Sequence, residues 1–258
     1  MRAAMSPPSP AERANKFLRQ HDGAREAFAR LSGPARNAAL PVLFGNGRGL
    51  KVRTGPSTLM RLVSSVEKEV ESVLLDQVIP GQTVYDVGAN IGWFSLLAAR
   101  KVGPSGRVVA FEPSIANASF ATKNAVSNGF DDLLVVPAAV SDEDGWATFS
   151  NETSLKGKLS ASGGVRVPVL SLDHWIAQTG ERPPQVVKID VEGAEGSALR
   201  GMRETLREHR PTLIIELHDT GGEVADFLDD VGYSHQPIDH GAPTREAPWW
   251  VHVLATPA

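Results

Sequence analysis

From residue 83 onward, short apolar runs alternate with longer stretches in which apolar residues recur every three or four positions. The short runs predict strands and the longer ones helices. The expected strands are Thr83–Val87, Arg107–Phe111, Leu133–Pro137, Val186–Val191 and Leu213–Leu217. The expected helices are Gly92–Lys101, Ser114–Asn128, Glu195–Glu208 and Gly222–Val231. Such alternation predicts an α/β fold, with a parallel sheet covered by helices on both faces. Two stretches depart from it. Trp146–Phe149 and Val165–Leu170 predict an extra hairpin around the polar loop Asn151–Gly164. Ser234–Ile238 and Trp249–Leu254 predict a terminal hairpin that adds an antiparallel strand.

The chain before residue 83 is patterned differently. Residues 1–10 are rich in proline and small polar residues and read as disordered. Phe17, Leu18, Phe28 and Leu31 mark one or two amphipathic helices over 11–31. Val42-Leu43-Phe44 and Leu50-Lys51-Val52 flank a glycine-rich turn and predict a hairpin. Leu59–Val78 has a helical period that Pro80-Gly81 stops.

Composition removes several functions. The chain has no cysteine, which excludes disulfides, thiolate metal sites and a cysteine nucleophile. Its net charge of −4 gives no basic footprint for nucleic acid. Neither a membrane-length apolar run nor a secretory leader is visible. The expectation is a cytoplasmic protein with no nucleic-acid or membrane partner. The five tryptophans are expected in the core, except Trp93, which begins a helix beside the first candidate site.

That first site is Tyr85-Asp86-Val87-Gly88-Ala89-Asn90-Ile91-Gly92, a strand running through a small-residue turn into a helix. Ligands bind at the carboxyl ends of strands in such sheets. The helix N-terminus there offers free N–H groups. The pattern D-x-G-x-x-x-G is not the dinucleotide fingerprint. An acid at Asp86 disfavours a pyrophosphate but accepts an ammonium, which points to S-adenosylmethionine over NAD. A glycine turn that only packs helix to strand is the alternative. Glu112 ends the next strand, 24 residues after Gly88. An acid in that place reaches ribose hydroxyls in either kind of adenosine ligand.

Two later strand ends carry more charge. In a strand, Lys188, Asp190 and Glu192 share one face, while Ile189 and Val191 share the other. They form either a structural ion pair or the floor of an acceptor site. Glu216 and His218 share a face of the next strand. His218 is a candidate general base, a metal ligand with Asp190, or a hydrogen-bonded strand-end histidine. No ligand spacing is diagnostic, so no metal is expected.

Five segments occur in order: Asp86–Gly92, Phe111-Glu112-Pro113, Ala139-Val140-Ser141-Asp142, Leu172-Asp173 and Lys188–Glu195. Together the chain resembles the FkbM family of methyltransferases over residues 66–218. The resemblance implies a class I methyltransferase (Rossmann-like) fold with a seven-stranded, mostly parallel sheet whose last strand is antiparallel. It implies residues 1–60 as an extension and 61–258 as the methyltransferase domain. S-adenosylmethionine would be the cofactor, and a sugar, polyketide or other small-molecule hydroxyl the acceptor. By position, Asp86, Gly88 and Asn90 would line the methionine end and Glu112 would hold the ribose. Ser141 and Asp142 would follow the strand near the adenine. Ala89, Gly92, Pro113 and Asp190 complete the candidate cofactor set. Asp190, Glu192, Glu216 and His218 are the candidate bases, with Lys188 to orient them. A homo-oligomer, a nucleotide-dependent oxidoreductase and a non-catalytic binding module stay open.

Overall fold

The computed structural model describes residues 38–53, 67–153, 156–160, 164–239, 241–247 and 251–258, with the backbone alone for 150–153 and 156–160. The chain divides into two compact units, residues 1–68 and 69–258. The expectations for 1–31, for the start of the Leu59–Val78 helix, and for Trp249 and Trp250 lie outside the described residues.

In the first unit, β1 (Ala39–Pro41) pairs antiparallel with β2 (Lys51–Arg53). The ladder continues inward, where Val42 N–H donates to the Leu50 carbonyl and Gly49 N–H to the Val42 carbonyl. The expected hairpin is present, with its first strand three residues earlier than the apolar run suggested.

In the second unit, helix α1 (Lys68–Gln77) precedes β3 (Thr83–Val87), α2 (Trp93–Val102), β4 (Arg107–Phe111), α3 (Ile115–Ser127), β5 (Leu134–Val136) and the short β6 (Ala139–Val140). An inserted segment follows, made of β7 (Gly145–Thr153), β8 (Lys156–Ser160) and β9 (Val165–Leu170). The chain continues through α4 (Leu172–Thr179), β10 (Val186–Ile189), α5 (Glu195–Arg200), α6 (Arg203–His209), β11 (Thr212–Leu217), α7 (Gly221–Asp230), β12 (Tyr233–Pro237) and β13 (Val251–Pro257).

The main sheet has seven strands in the order β12-β13-β11-β10-β3-β4-β5. Strands β5, β4, β3, β10 and β11 are parallel. Strand β13 runs antiparallel to both β11 and β12. This is the class I methyltransferase arrangement. The chain starts at the sheet's centre with β3, moves outward to β5, then returns to the other side with β10. The β3–β10 boundary is therefore the topological switch point, the place beyond the strand ends where ligands bind in such sheets.

Strand alternation sorts the side chains. Tyr85, Val87, Val109, Phe111, Val187, Ile189, Leu213, Ile215 and Leu217 point into one buried core with Leu199, Leu206 and Leu228 from the helices. Burying each such side chain stabilises the fold by roughly 1.5–3 kcal/mol. Tyr85, Phe111 and Trp175 pack edge-to-face there, with ring centroids 5.1–6.0 Å apart. The opposite face carries Asp86, Lys188 and Glu216, so the register that builds the core also collects the charges.

Three expectations are corrected. The helix expected over Glu195–Glu208 is two helices, broken at Gly201. A Cβ on Gly201 would lie 1.8 Å from the Ser141 carbonyl oxygen, so backbone meets backbone where the helix stops. The polar loop Asn151–Gly164 contains a strand, because β8 pairs with β7 in a four-stranded sheet of order β6-β9-β7-β8. Trp146 is not in the core: it is 64% exposed. Alternation along β7 turns Phe149 inward and Trp146 outward, beneath the Arg166 guanidinium. Among the described residues, no helix is long and apolar enough to cross a membrane.

Replacing Gly201 by Ala forces this contact apart and is expected to cost roughly 1–3 kcal/mol in urea unfolding. A methyl group added at Gly222, in the first turn of α7, would meet nothing within 4 Å. Gly222→Ala is expected to stabilise the chain by about 0.5–1 kcal/mol.

Candidate active site at the strand ends

The turn after β3 is built on backbone contacts. Gly88 and Ala89 N–H both donate to the Phe111 carbonyl, at 2.9 and 3.0 Å. Gly88 has φ +82°, and a Cβ there would lie 1.8 Å from the Asp190 carbonyl oxygen. Only glycine meets both conditions. Gly92 also has a left-handed φ, and a Cβ there would press to 3.1 Å from Ala121 of α3. Asn124 Nδ2 donates to the Ile91 carbonyl at 2.9 Å and pins the turn from the same helix.

Two acids sit beside this turn. Asp86 is 1% exposed and accepts from Ser95 Oγ through Oδ2, while its Oδ1 is buried without a hydrogen-bond partner. Burial pushes its carboxyl above the usual range, and the Lys188 charge and Ser95 oppose that rise. Glu112 is 5% exposed. Its Oε2 accepts from Asn90 N–H at 2.7 Å and its Oε1 from Ser114 N–H at 2.8 Å. Asn90 reaches this position through a left-handed φ of 53°. Burial pushes Glu112 up to about 7, against the pull of those two backbone donors. Pro113 links Glu112 to Ser114, which caps α3 by accepting from Asn117 N–H.

A second cluster lies where β10 and β11 end. Lys188 is buried, with Nζ 4.5 Å from the Phe94 ring centroid and 3.2 Å from Asp190 Oδ2. Asp190 N–H donates to the Val87 carbonyl, so this residue is fixed to the base of the glycine turn. Its carboxyl is pushed up to about 6 by desolvation, with Lys188 opposing and Glu216 adding to the rise. His218 Nδ1 lies 2.9 Å from Glu195 Oε1, and its Nε2 lies 3.4 Å from both Glu192 Oε2 and Glu216 Oε1. Burial opposes charge on His218, but the carboxylates of Glu195 and Glu216 push it up to about 10. Burial works against ionisation of Glu216 too, yet His218, His252 and Lys188 hold it well below the carboxylate range.

The structure brings Asp86, Gly88, Ala89, Asn90, Gly92, Glu112 and Pro113 together around one turn. It brings Lys188, Asp190, Glu192, Glu216 and His218 together beside it. The expected route to the second cluster needs correcting. Strand β10 stops at Ile189, so alternation does not place Glu192. A left-handed turn does, with φ 51° at Glu192 and 100° at Gly193. Ser141 and Asp142 are not joined to either cluster by these contacts. Ser141 Oγ donates to Asp142, and Asp142 pairs with Arg200 at 3.3 Å.

Sequence reasoning misses four residues. Glu195 is fully buried and accepts from Gly193 N–H, His218 and Thr220 Oγ1. Its position inside the Lys188–Glu195 segment is the available signal. Glu71 accepts from Trp93 Nε1 at 2.9 Å. His252 stands opposite Glu216 in the β11–β13 register, 3.2 Å away, and its Nδ1 lies 2.7 Å from Asp239. No spacing along the chain announces those three.

Residues 86–234 match the methyltransferase FkbM domain family. The chain belongs to that family. It is 30% identical over 156 residues to the hexuronic acid methyltransferase AglP of Haloferax volcanii, covering 59% of this chain and 62% of that one. It is 28% identical over 184 residues to the 31-O-demethyl-FK506 methyltransferase FkbM of Streptomyces tacrolimicus, covering 58% and 70%. The chain thus spans less than two thirds of the length of AglP. Its fold is also similar to the crystal structure of methyltransferase FkbM from Methylobacillus flagellatus, with a TM-score of 0.50 at 16% identity. That match covers 93% of this chain and 60% of the other.

The buried Glu195 yields a stability test. Glu195→Ala leaves His218 without its Nδ1 partner inside the protein and is expected to cost roughly 3–5 kcal/mol in urea unfolding. Hydrogen bonds to His218, Gly193 and Thr220 outweigh burial and hold Glu195 below its ordinary 4.5. Its contribution is therefore present above about pH 4.5 and lost as acid protonates it. The gap between wild type and variant should close on acidification.

Proposed function

We propose that this chain transfers a methyl group from S-adenosylmethionine to a hydroxyl oxygen of a small-molecule acceptor. The observation that carries the reading is Glu112, a buried carboxylate at the tip of β4, held by backbone N–H groups beside a turn that admits no side chain at Gly88. Each Glu112 oxygen keeps a lone pair beyond the one already used, which fits two ribose hydroxyls. The bare α-carbons of Gly88 and Gly92 let the turn sit tightly against Asp190 and Ala121, which fixes its backbone at the strand ends. No side chain of the capping residue closes α2, and Asp86 stands beneath its first turn, bonded to Ser95. Asp86 supplies negative potential behind the turn, where an ammonium is favoured over a phosphate.

S-adenosylmethionine, when bound, supplies a methyl group already activated on a sulfonium. The chain's own work is alignment of the acceptor and removal of its proton. Asp190 is the carboxylate best placed for the proton. It is tied to the glycine turn through its backbone, and its side chain is 27% exposed while Lys188 is 3% exposed. Lys188 fixes the carboxylate and favours its ionised form. Glu216 is enclosed between His218 and His252, and His218 is held through Nδ1 by Glu195, with Glu192 and Glu216 3.4 Å from its Nε2. Both are better suited to positioning than to accepting the proton. The names of the two relatives, a hexuronic acid and an FK506 methyltransferase, support a hydroxylated small molecule as acceptor.

Calorimetric titration with S-adenosylhomocysteine tests the cofactor assignment. Glu112→Gln loses a charge-assisted acceptor, which is expected to weaken binding by about tenfold or more. With Glu112 pushed up to about 7, wild-type affinity should rise between pH 6 and 8 as the carboxylate ionises, and the variant should lose that rise. An unchanged affinity and pH profile in the variant would overturn the assignment. Asp190→Asn should still bind S-adenosylhomocysteine but lose methyl transfer across a panel of hydroxylated acceptors.

A further inference from the structure

We propose that Asp190, Glu192 and His218 bind one divalent transition-metal cation at the acceptor side of the proposed methyl-transfer site. The inference deepens the function proposed above and rests on it for the cation's role, though not for its binding. One ligand atom from each of these residues lies within 4.8 Å of the others. Proximity of acids alone would not suffice, and the decisive feature is the histidine. The His218 side chain is 6% exposed, and its Nε2 points among the acids without making a hydrogen bond. That nitrogen lies 3.4 Å from Glu192 Oε2 and 3.4 Å from Glu216 Oε1, beyond the 2.7–2.9 Å of a charge-assisted N–H···O bond.

The far side of the ring is arranged for the same end. Nδ1 lies 2.9 Å from Glu195 Oε1, and Glu195 is itself fixed by Gly193 N–H and Thr220 Oγ1. A buried carboxylate on one ring nitrogen sets the orientation and basicity of the imidazole, and directs the other nitrogen's lone pair at a metal. The left-handed turn at Glu192 brings the third ligand back toward the ring. Charge agrees with geometry. Asp190, Glu192, Glu195, Glu216 and Asp239 surround Lys188, His218 and His252, so acids exceed cations in the cluster. Binding exchanges any proton on Nε2, released to solvent, for the cation.

One imidazole nitrogen and two carboxylates form a mixed set that suits manganese, iron or zinc better than magnesium, which demands oxygen. Three protein ligands leave coordination positions open. In those positions the cation would hold the acceptor's oxygen and lower the pKa of its hydroxyl. This departs from the sequence-based expectation of no metal. Spacing along the chain cannot reveal a set assembled from one strand end, one left-handed turn and a neighbouring strand.

The test uses the full chain, stripped with a chelator and titrated with Mn²⁺ while electron paramagnetic resonance reports free metal. One Mn²⁺ per chain is expected. Glu192→Gln, at a partly exposed turn position, should weaken binding by about tenfold or more. Glu195→Gln should weaken it by about 10–100-fold through the orientation of His218. Co²⁺ should give ligand-field bands that change in His218→Asn. Calorimetry with S-adenosylhomocysteine on each variant reports the cofactor site separately. Absence of Mn²⁺ and Co²⁺ binding at millimolar metal, or equal binding in Glu192→Gln and His218→Asn, overturns the site. Metal bound without S-adenosylhomocysteine keeps the site and sinks methyl transfer, while the reverse sinks only the site.

Discussion

The contact between Gly88 and the Asp190 carbonyl is the constraint on which the rest of the site depends. At the switch point of the sheet, the turn leaving β3 must pass over the end of β10 with no room for a side chain. The close approach lets the Asp190 N–H extend the β3–β10 ladder to Val87. One backbone contact thus fixes the distance between the glycine turn and the acid cluster. The proposed transfer between two ligands needs that distance held, because misplacement by about 1 Å can cost a hundredfold in rate.

Charge on the other face of the central strands is the second organising term. Lys188 on β10 stands opposite Asp86 on β3 in a parallel register, under the Phe94 ring. A lone buried ammonium or carboxylate would be costly. Here each lies beside a partner, and the network runs from Asp86 through Lys188 and Asp190 to Glu216, His218 and His252. Its shifted ionisations come from this sharing as much as from burial.

The fold is legible in the sequence because short apolar runs give way to a helical period at each strand end, and Asp86–Gly92 and Glu112 fall at those ends. The cluster partners are less legible for a physical reason. Ser95 meets Asp86 only after α2 turns back over β3, and His252 meets Glu216 only once β13 has paired with β11. Alternation puts Glu192 in the right cluster by the wrong geometry, since a short strand followed by a left-handed turn resembles a longer strand in sequence. Trp146 defies expectation because large aromatic residues are usually buried, and only the pairing of β7 with β9 decides which face of that strand is outward.

The antiparallel β13 has a consequence for how the site comes into being. The strands of the glycine turn and its acids all precede residue 219, whereas His252 arrives from residues 251–257. During synthesis from the N-terminus, the sheet's centre emerges first, with Glu216 still lacking the imidazole that later stands 3.2 Å away. Electrostatic completion of Glu216 therefore waits for the last strand of the sheet to be synthesised. A nascent chain that holds the sheet's centre already has Lys188 and His218 beside Glu216, and the final strand adds the second imidazole, with Asp239 behind it.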